Sequence, residues 1–141
     1  MEFLKHYFEY AIMGLLAFMS FLVLLYTVER IYFYSKVKFS DYKNADVFEI
    51  ALTKHLTLLY IIYSNAPYIG LLGTVSGIMV TFYEMGLAGG VDASAVMVGM
   101  SLALKATALG LLVAIPTLMI YNAFGRKVDV LMTRYKNHEN I

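Results

Sequence analysis

Cysteine is absent from all 141 residues, which removes disulfides, thiolate metal sites and cysteine nucleophiles at one stroke. Charge is scarce as well: 15% of the residues are Asp, Glu, Lys or Arg, against roughly 25% in an average soluble domain. Apolar residues make up 60%, a composition that would not keep a soluble domain dissolved. His6, His55 and His138 are scattered with no HExxH motif, and the string from Gly70 to Gly77 lacks the Gly-Lys-Ser/Thr ending of a phosphate loop. Metal hydrolysis, nucleotide hydrolysis and enzyme function in general are therefore not expected, and no cofactor or metal is implied. A net charge of +1 predicts no nucleic-acid partner, since phosphate binding needs a dominant positive field.

What is present is long apolar runs, which take about half the chain and leave little for a separate catalytic domain. The first, Tyr10 to Val28, is uncharged between Glu9 and Glu29 and as a helix spans a hydrocarbon core of roughly 30 Å. The acids Glu2 and Glu9 precede it and no small-residue cleavage site follows, so it reads as a retained anchor and not a signal peptide. Residues 29–55 mix charge with apolar positions at helical spacing (Phe48, Ala51, Leu52, His55, Leu56, Leu59), which predicts an amphipathic helix leading into a second span. The expected spans are about 10–28, 60–83 and 96–122, with a loop at 29–55, a glycine-rich turn at 84–92 and an amphipathic tail at 123–141. The expected fold is thus an all-α integral membrane protein of one domain, with three transmembrane helices and helical cytoplasmic extensions. Lys and Arg concentrate in 29–55 and in the tail, while the opposite side has only Lys5, so the positive-inside rule puts the N-terminus outside and the C-terminus in the cytoplasm.

Helices in lipid associate through close packing, which small residues permit. In the second span Pro67, Gly70, Thr74, Gly77 and Thr81 fall within about 80° of one another, and Gly73 and Gly77 form a GxxxG pair. In the third, Ala103, Thr107, Gly110 and Ala114 share a face beside the row Ala106, Gly110, Ala114. Two readings of these rows stand: they hold a helical hairpin together, each threonine hydroxyl bonding back to its own helix, or Thr74 and Thr107 look into a shared central space. Pro67 and Pro116 each remove a helical hydrogen bond, and serve either as packing bends or as bend points of a gating movement. Lys105 is the one ionisable residue inside a span; it sits about 160° from Thr107, and snorkelling to the outer boundary, an ion pair or a part in ion movement are open to it. No Asp or Glu lies in any span, so if the protein moves protons, the proton-binding carboxylate belongs to a partner.

Two strings carry a resemblance: Ala66-Pro-Tyr-Ile-Gly-Leu-Leu-Gly-Thr-Val-Ser-Gly-Ile-Met to Met79, and Leu104-Lys-Ala-Thr-Ala-Leu-Gly-Leu-Leu-Val-Ala-Ile-Pro-Thr-Leu-Met-Ile-Tyr-Asn-Ala-Phe to Phe124. They resemble the second and third spans of the ExbB/TolQ family, related more distantly to the flagellar stator subunit MotA, and the Tyr121-Asn122-Ala123-Phe124 ending leans toward ExbB. The resemblance implies a bacterial inner-membrane proton-channel subunit, a ring of five copies enclosing the single spans of an ExbD-type partner. That partner's membrane aspartate supplies the missing acid, and a TonB-type protein carries the energy to outer-membrane import of iron complexes or cobalamin. By the same resemblance Thr74 and Thr107 line the central cavity. Alternatives are a TolQ-like part in the Tol-Pal envelope system and a non-conducting membrane scaffold. Three departures stand out: Leu102 occupies a position where the family often has glutamate, Lys105 one where an apolar residue is usual, and the first loop is short.

Overall fold

The computed structural model describes residues 2–139, so the last two residues of the predicted tail, 140–141, lie outside the described residues. Four α-helices follow one another: α1 (Glu2–Lys36), α2 (Ala45–Leu52), α3 (Leu56–Leu87) and α4 (Ala93–Glu139), with a single 3-10 turn at Phe39–Asp41. Among the described residues the fold is all-helical, and α1, α3 and α4 are each long and apolar enough to cross a membrane. At 1.5 Å per residue they reach about 52, 48 and 70 Å, more than a roughly 30 Å hydrocarbon core requires. The surplus of α4 is the tail: the helix does not break at 122 but runs on to Glu139. Both prolines sit inside helices that continue through them, Pro67 in α3 and Pro116 in α4.

The amphipathic stretch before the second span is not one helix. Asn44 caps α2 by accepting a hydrogen bond from the Val47 amide (2.9 Å), and the helix stops at Leu52. His55 then takes a left-handed conformation (φ 71°), one that histidine tolerates better than most side chains, and α3 starts afresh at Leu56. At the other end of the hairpin Gly89 (φ 81°) turns the chain, and the Asp92 carboxylate accepts from the Ser94 amide (3.0 Å) to open α4.

A small aromatic core forms where α1, α2 and the extension of α4 meet. Phe48 is fully buried, stacked on Tyr135 (4.6 Å) and edge-on to Phe39 (5.5 Å), while Tyr34 packs edge-on to Phe124 (5.6 Å). Arg30 lies inside this core at 1% exposure. It pairs with Glu29 through two contacts (2.5 and 2.6 Å), rests on the Phe33 ring (4.3 Å), and donates to the Ala51 and Leu52 carbonyls (2.8 and 3.3 Å). Tyr34 donates to the same Leu52 carbonyl (2.7 Å). The last turn of a helix has unsatisfied carbonyls and a negative dipole end, so a buried cation and a phenol are what the end of α2 needs. Here Arg30 locks α2 onto α1.

Two outcomes follow. Arg30→Leu, which strands the Ala51 carbonyl, leaves the Leu52 carbonyl to Tyr34 alone and takes away the Glu29 partner, lowers stability by about 2–3 kcal/mol, read as an earlier midpoint in detergent denaturation, and Arg30→Lys recovers only part of it. The His55 ring lies against Tyr26 (4.4 Å), and burial lowers its pKa below the ordinary 6.5, Arg30 and Lys54 reinforcing the shift and Glu29 opposing it. The neutral ring is thus the one the folded state prefers. Its stabilisation is complete above pH 6.5 and is lost as pH falls through the lowered folded value, so thermal stability drops on acidification from pH 7.5 to 5.5 and drops less in His55→Asn.

Candidate functional site

The antiparallel pair α3 and α4 is held at backbone distance by its small residues. A Cβ placed on Gly70 would stand 2.6 Å from the Ala106 carbonyl oxygen and 3.2 Å from the Gly110 Cα; one on Gly110 would stand 2.6 Å from the Ala66 carbonyl oxygen. Gly73 meets the Ala106 methyl and Gly77 the Ala103 methyl in the same way, at 2.7 and 2.8 Å. Ala66, Ala103 and Ala114 are buried along this seam. The two rows read from the sequence therefore lie against each other within one chain, with no space between them.

Thr74 stands in the middle of the seam, 6% exposed. Its hydroxyl donates across to the Ala103 carbonyl (2.8 Å), lies 3.3 Å from the Gly70 carbonyl of its own helix, and touches the Thr107 hydroxyl. A hydroxyl has one proton, so with Thr74 donating to Ala103, Thr107 is the donor between the two threonines. Thr81 and Thr117, by contrast, bond back to Gly77 and Val113 four residues earlier in their own helices (2.9 and 2.6 Å).

The two flanks of the seam differ. α1 covers the flank carrying Gly73 and Ala106, with Ile12 3.4 Å from the position of a Gly73 Cβ. On the other flank helical spacing places Pro67, Leu71 and Ile78 of α3 beside Thr107, Leu111 and Leu118 of α4. This flank is uncovered: Leu71 is 50% exposed, Leu111 42%, and Thr107 is half-buried with its oxygen still able to accept a hydrogen bond. It is an apolar strip with one hydroxyl near its middle and no carboxylate. At its other end, three tyrosine rings close together: Tyr63 lies 5.2 Å from both Tyr60 and Tyr121, and Tyr60 lies 6.0 Å from Tyr121. The sequence reading passed over this trio, although counting 100° per residue puts Tyr63 within 20° of Thr74 and Tyr121 within 40° of Thr107. Pro67 is half-buried at the edge of the strip and Pro116 is exposed elsewhere on α4. Lys105 faces neither the seam nor the strip; it is exposed on the α1 side.

Close contact makes the seam sensitive to single methyls. Gly110→Ala must push α3 and α4 apart and costs about 1–3 kcal/mol, whereas Gly14→Ala, with open space around it, is neutral or stabilising by up to about 1 kcal/mol; midpoints of SDS titration rank the two.

The model of the MotA/TolQ/ExbB proton channel family matches residues 38–137. The chain is 56% identical over 136 residues to the biopolymer transport protein ExbB of Helicobacter pylori strain J99, covering 96% of this chain and 94% of that protein. It is 49% identical over 128 residues to the ExbB of Aquifex aeolicus, covering 91% and 86%. With the Tol-Pal system protein TolQ of Pseudomonas aeruginosa it shares 39% over 87 residues, 62% of this chain and 38% of that protein.

Proposed function

Because this chain belongs to the MotA/TolQ/ExbB proton channel family, we propose that it is the channel-forming subunit of a proton-driven motor in a bacterial inner membrane. Several copies, five by family resemblance, surround the single span of an ExbD-like partner, and a TonB-like protein passes the energy to outer-membrane import of iron complexes or cobalamin. The N-terminus lies in the periplasm and the C-terminus in the cytoplasm, where the basic residues of 29–55 and of the tail remain on the positive-inside side.

The observation that carries the reading is the uncovered strip. A purely lipid-facing surface has no use for a half-exposed hydroxyl with free acceptor capacity two residues inside the boundary that Lys105 marks, since the acyl chains beside it offer no partner. A surface lining a passage beside another protein's carboxyl group does. In this arrangement Thr107 is the residue that meets the partner, and Thr74 is a positioning residue: its bond to Ala103 and its contact with Thr107 hold that hydroxyl in place. Gly70, Gly73, Gly77, Ala103, Ala106, Gly110 and Ala114 bring the two helices close enough for the threonines to touch.

A scaffold without conduction has one observation in its favour, the absence of space between the small-residue rows. The two readings part on the hydroxyl. In liposomes holding this chain with its acid-bearing partner, Thr107→Val lowers proton flux about tenfold while ring assembly is unchanged, and Thr107→Ser restores it. An unaltered flux in Thr107→Val leaves only the scaffold. Thr74→Val lowers flux less, and its effect vanishes in the Thr107→Val background, as expected for a residue acting through its neighbour.

A further inference from the structure

A groove of about 330 Å³ separates the N-terminal half of α1 from the α3–α4 pair, on the flank opposite the uncovered strip. That volume falls within the range of small-molecule sites. Its walls are largely apolar, Phe8 and Ile12 from α1 facing Val80 and Leu102, and Ser76 adds one hydroxyl. Three charged residues also line it: Lys5, Glu9 and Lys105. Lys105, the one ionisable residue inside the expected spans, has neither an ion pair nor a side-chain hydrogen bond among the described residues.

The helices themselves set the depth of this groove. The uncharged stretch of α1 begins directly after Glu9 and ends at Val28; that of α4 begins directly after Lys105 and ends at Gly125. Each is about 30 Å long, one hydrocarbon thickness, and the two residues that start them line the same groove. The groove therefore straddles the boundary between acyl chains and headgroups, with its charges at headgroup level. Two lysines and one glutamate sum to +1, which matches a headgroup of net charge −1 better than a zwitterionic one, whose added cation has only the single Glu9 carboxylate to meet and two lysines to repel it.

We infer that this groove is a binding site for one anionic phospholipid, an acyl chain lying between α1 and the hairpin and the phosphodiester held by Lys5 and Lys105. Glu9, the one acid lining the groove, weakens the hold. The site is independent of conduction, because it lies on the flank of the seam that Thr107 does not reach.

Native mass spectrometry of the full-length chain, extracted after equilibration in vesicles of phosphatidylglycerol or of phosphatidylcholine, tests it. One phosphatidylglycerol is retained per chain in preference to phosphatidylcholine. Changing both lysines, Lys5→Gln with Lys105→Gln, lowers that preference about 30-fold, about five-fold for each surface charge, and Glu9→Gln raises it. Lys105 is exposed and Lys5 half-buried, and neither makes an ion pair or a side-chain hydrogen bond among the described residues, so these variants leave the fold intact. Ser76→Phe, which fills the groove and spares the lysines, also abolishes retention. Equal retention of the two lipids, or a preference that survives either the double lysine variant or Ser76→Phe, overturns the site. So does a second copy in the groove, which a Met13→Cys substitution in this cysteine-free chain reports as a disulfide-linked dimer that has lost its lipid.

Discussion

Gly70 and Gly110 touch backbone to backbone, and the remaining geometry of the membrane region follows from that contact. In water two helices are driven together by the apolar surface they hide; in hydrocarbon that surface is already at home, and only contact distance remains to be gained. A methyl at either position would fall 2.6 Å from a carbonyl oxygen, so the approach exists only while both residues lack one. At this distance the Thr74 hydroxyl reaches a carbonyl on the opposite helix, which a pair of helices separated by leucines would not allow. At this contact a threonine bonds across the pair, whereas Thr81, buried further along the same pair against Gly99, and Thr117 still bond to their own helices.

The second lock lies at the far end of α1 and is of another kind. Around Arg30 the chain has left the uncharged stretch, and aromatic packing, a buried ion pair and carbonyl capping can operate together. Between the locks Ile12, Leu16, Met19 and Val23 of α1 are buried in the core, while Phe21 and Leu24 stay more than half exposed, as lipid-facing residues do. Before Ile12 no residue of α1 from Phe3 onward is buried, and that is where the lysine-lined cavity opens.

Much of this was legible from residue spacing. Length and the lack of charge gave three long apolar helices, and the 100° rule put the right small residues on the facing surfaces of α3 and α4. What spacing could not choose was the object each row faces, because a row of glycines fits a neighbouring helix and a cavity equally well. The break at His55 was hidden for another reason: the hydrophobic period runs unbroken through Phe48, Leu52 and Leu56, and periodicity says nothing of a single left-handed residue. Arg30 was read as one positive charge among five in its loop, since the carbonyls it caps lie 21 and 22 residues away in the chain. The tyrosine trio, by contrast, needed only the same angular count carried two turns further.

The lack of an acid on the uncovered strip is better understood as a division of labour than as a gap. A hydroxyl is a poor proton store, because its charged forms lie far outside the physiological range, but it is a good relay, donating on one side and accepting on the other. A carboxyl group is the reverse, able to hold a proton for the time a helix needs to move, and its pKa responds to whether water or hydrocarbon surrounds it. Placing both on one subunit would give each copy its own site, occupied independently of the others. In the proposed assembly the carboxyl group rides on the enclosed helix while the hydroxyls are repeated around it, so the same proton-binding group can pass from one Thr107 to the next, and relative motion follows from protonation without any change in the fold that holds the threonines in place.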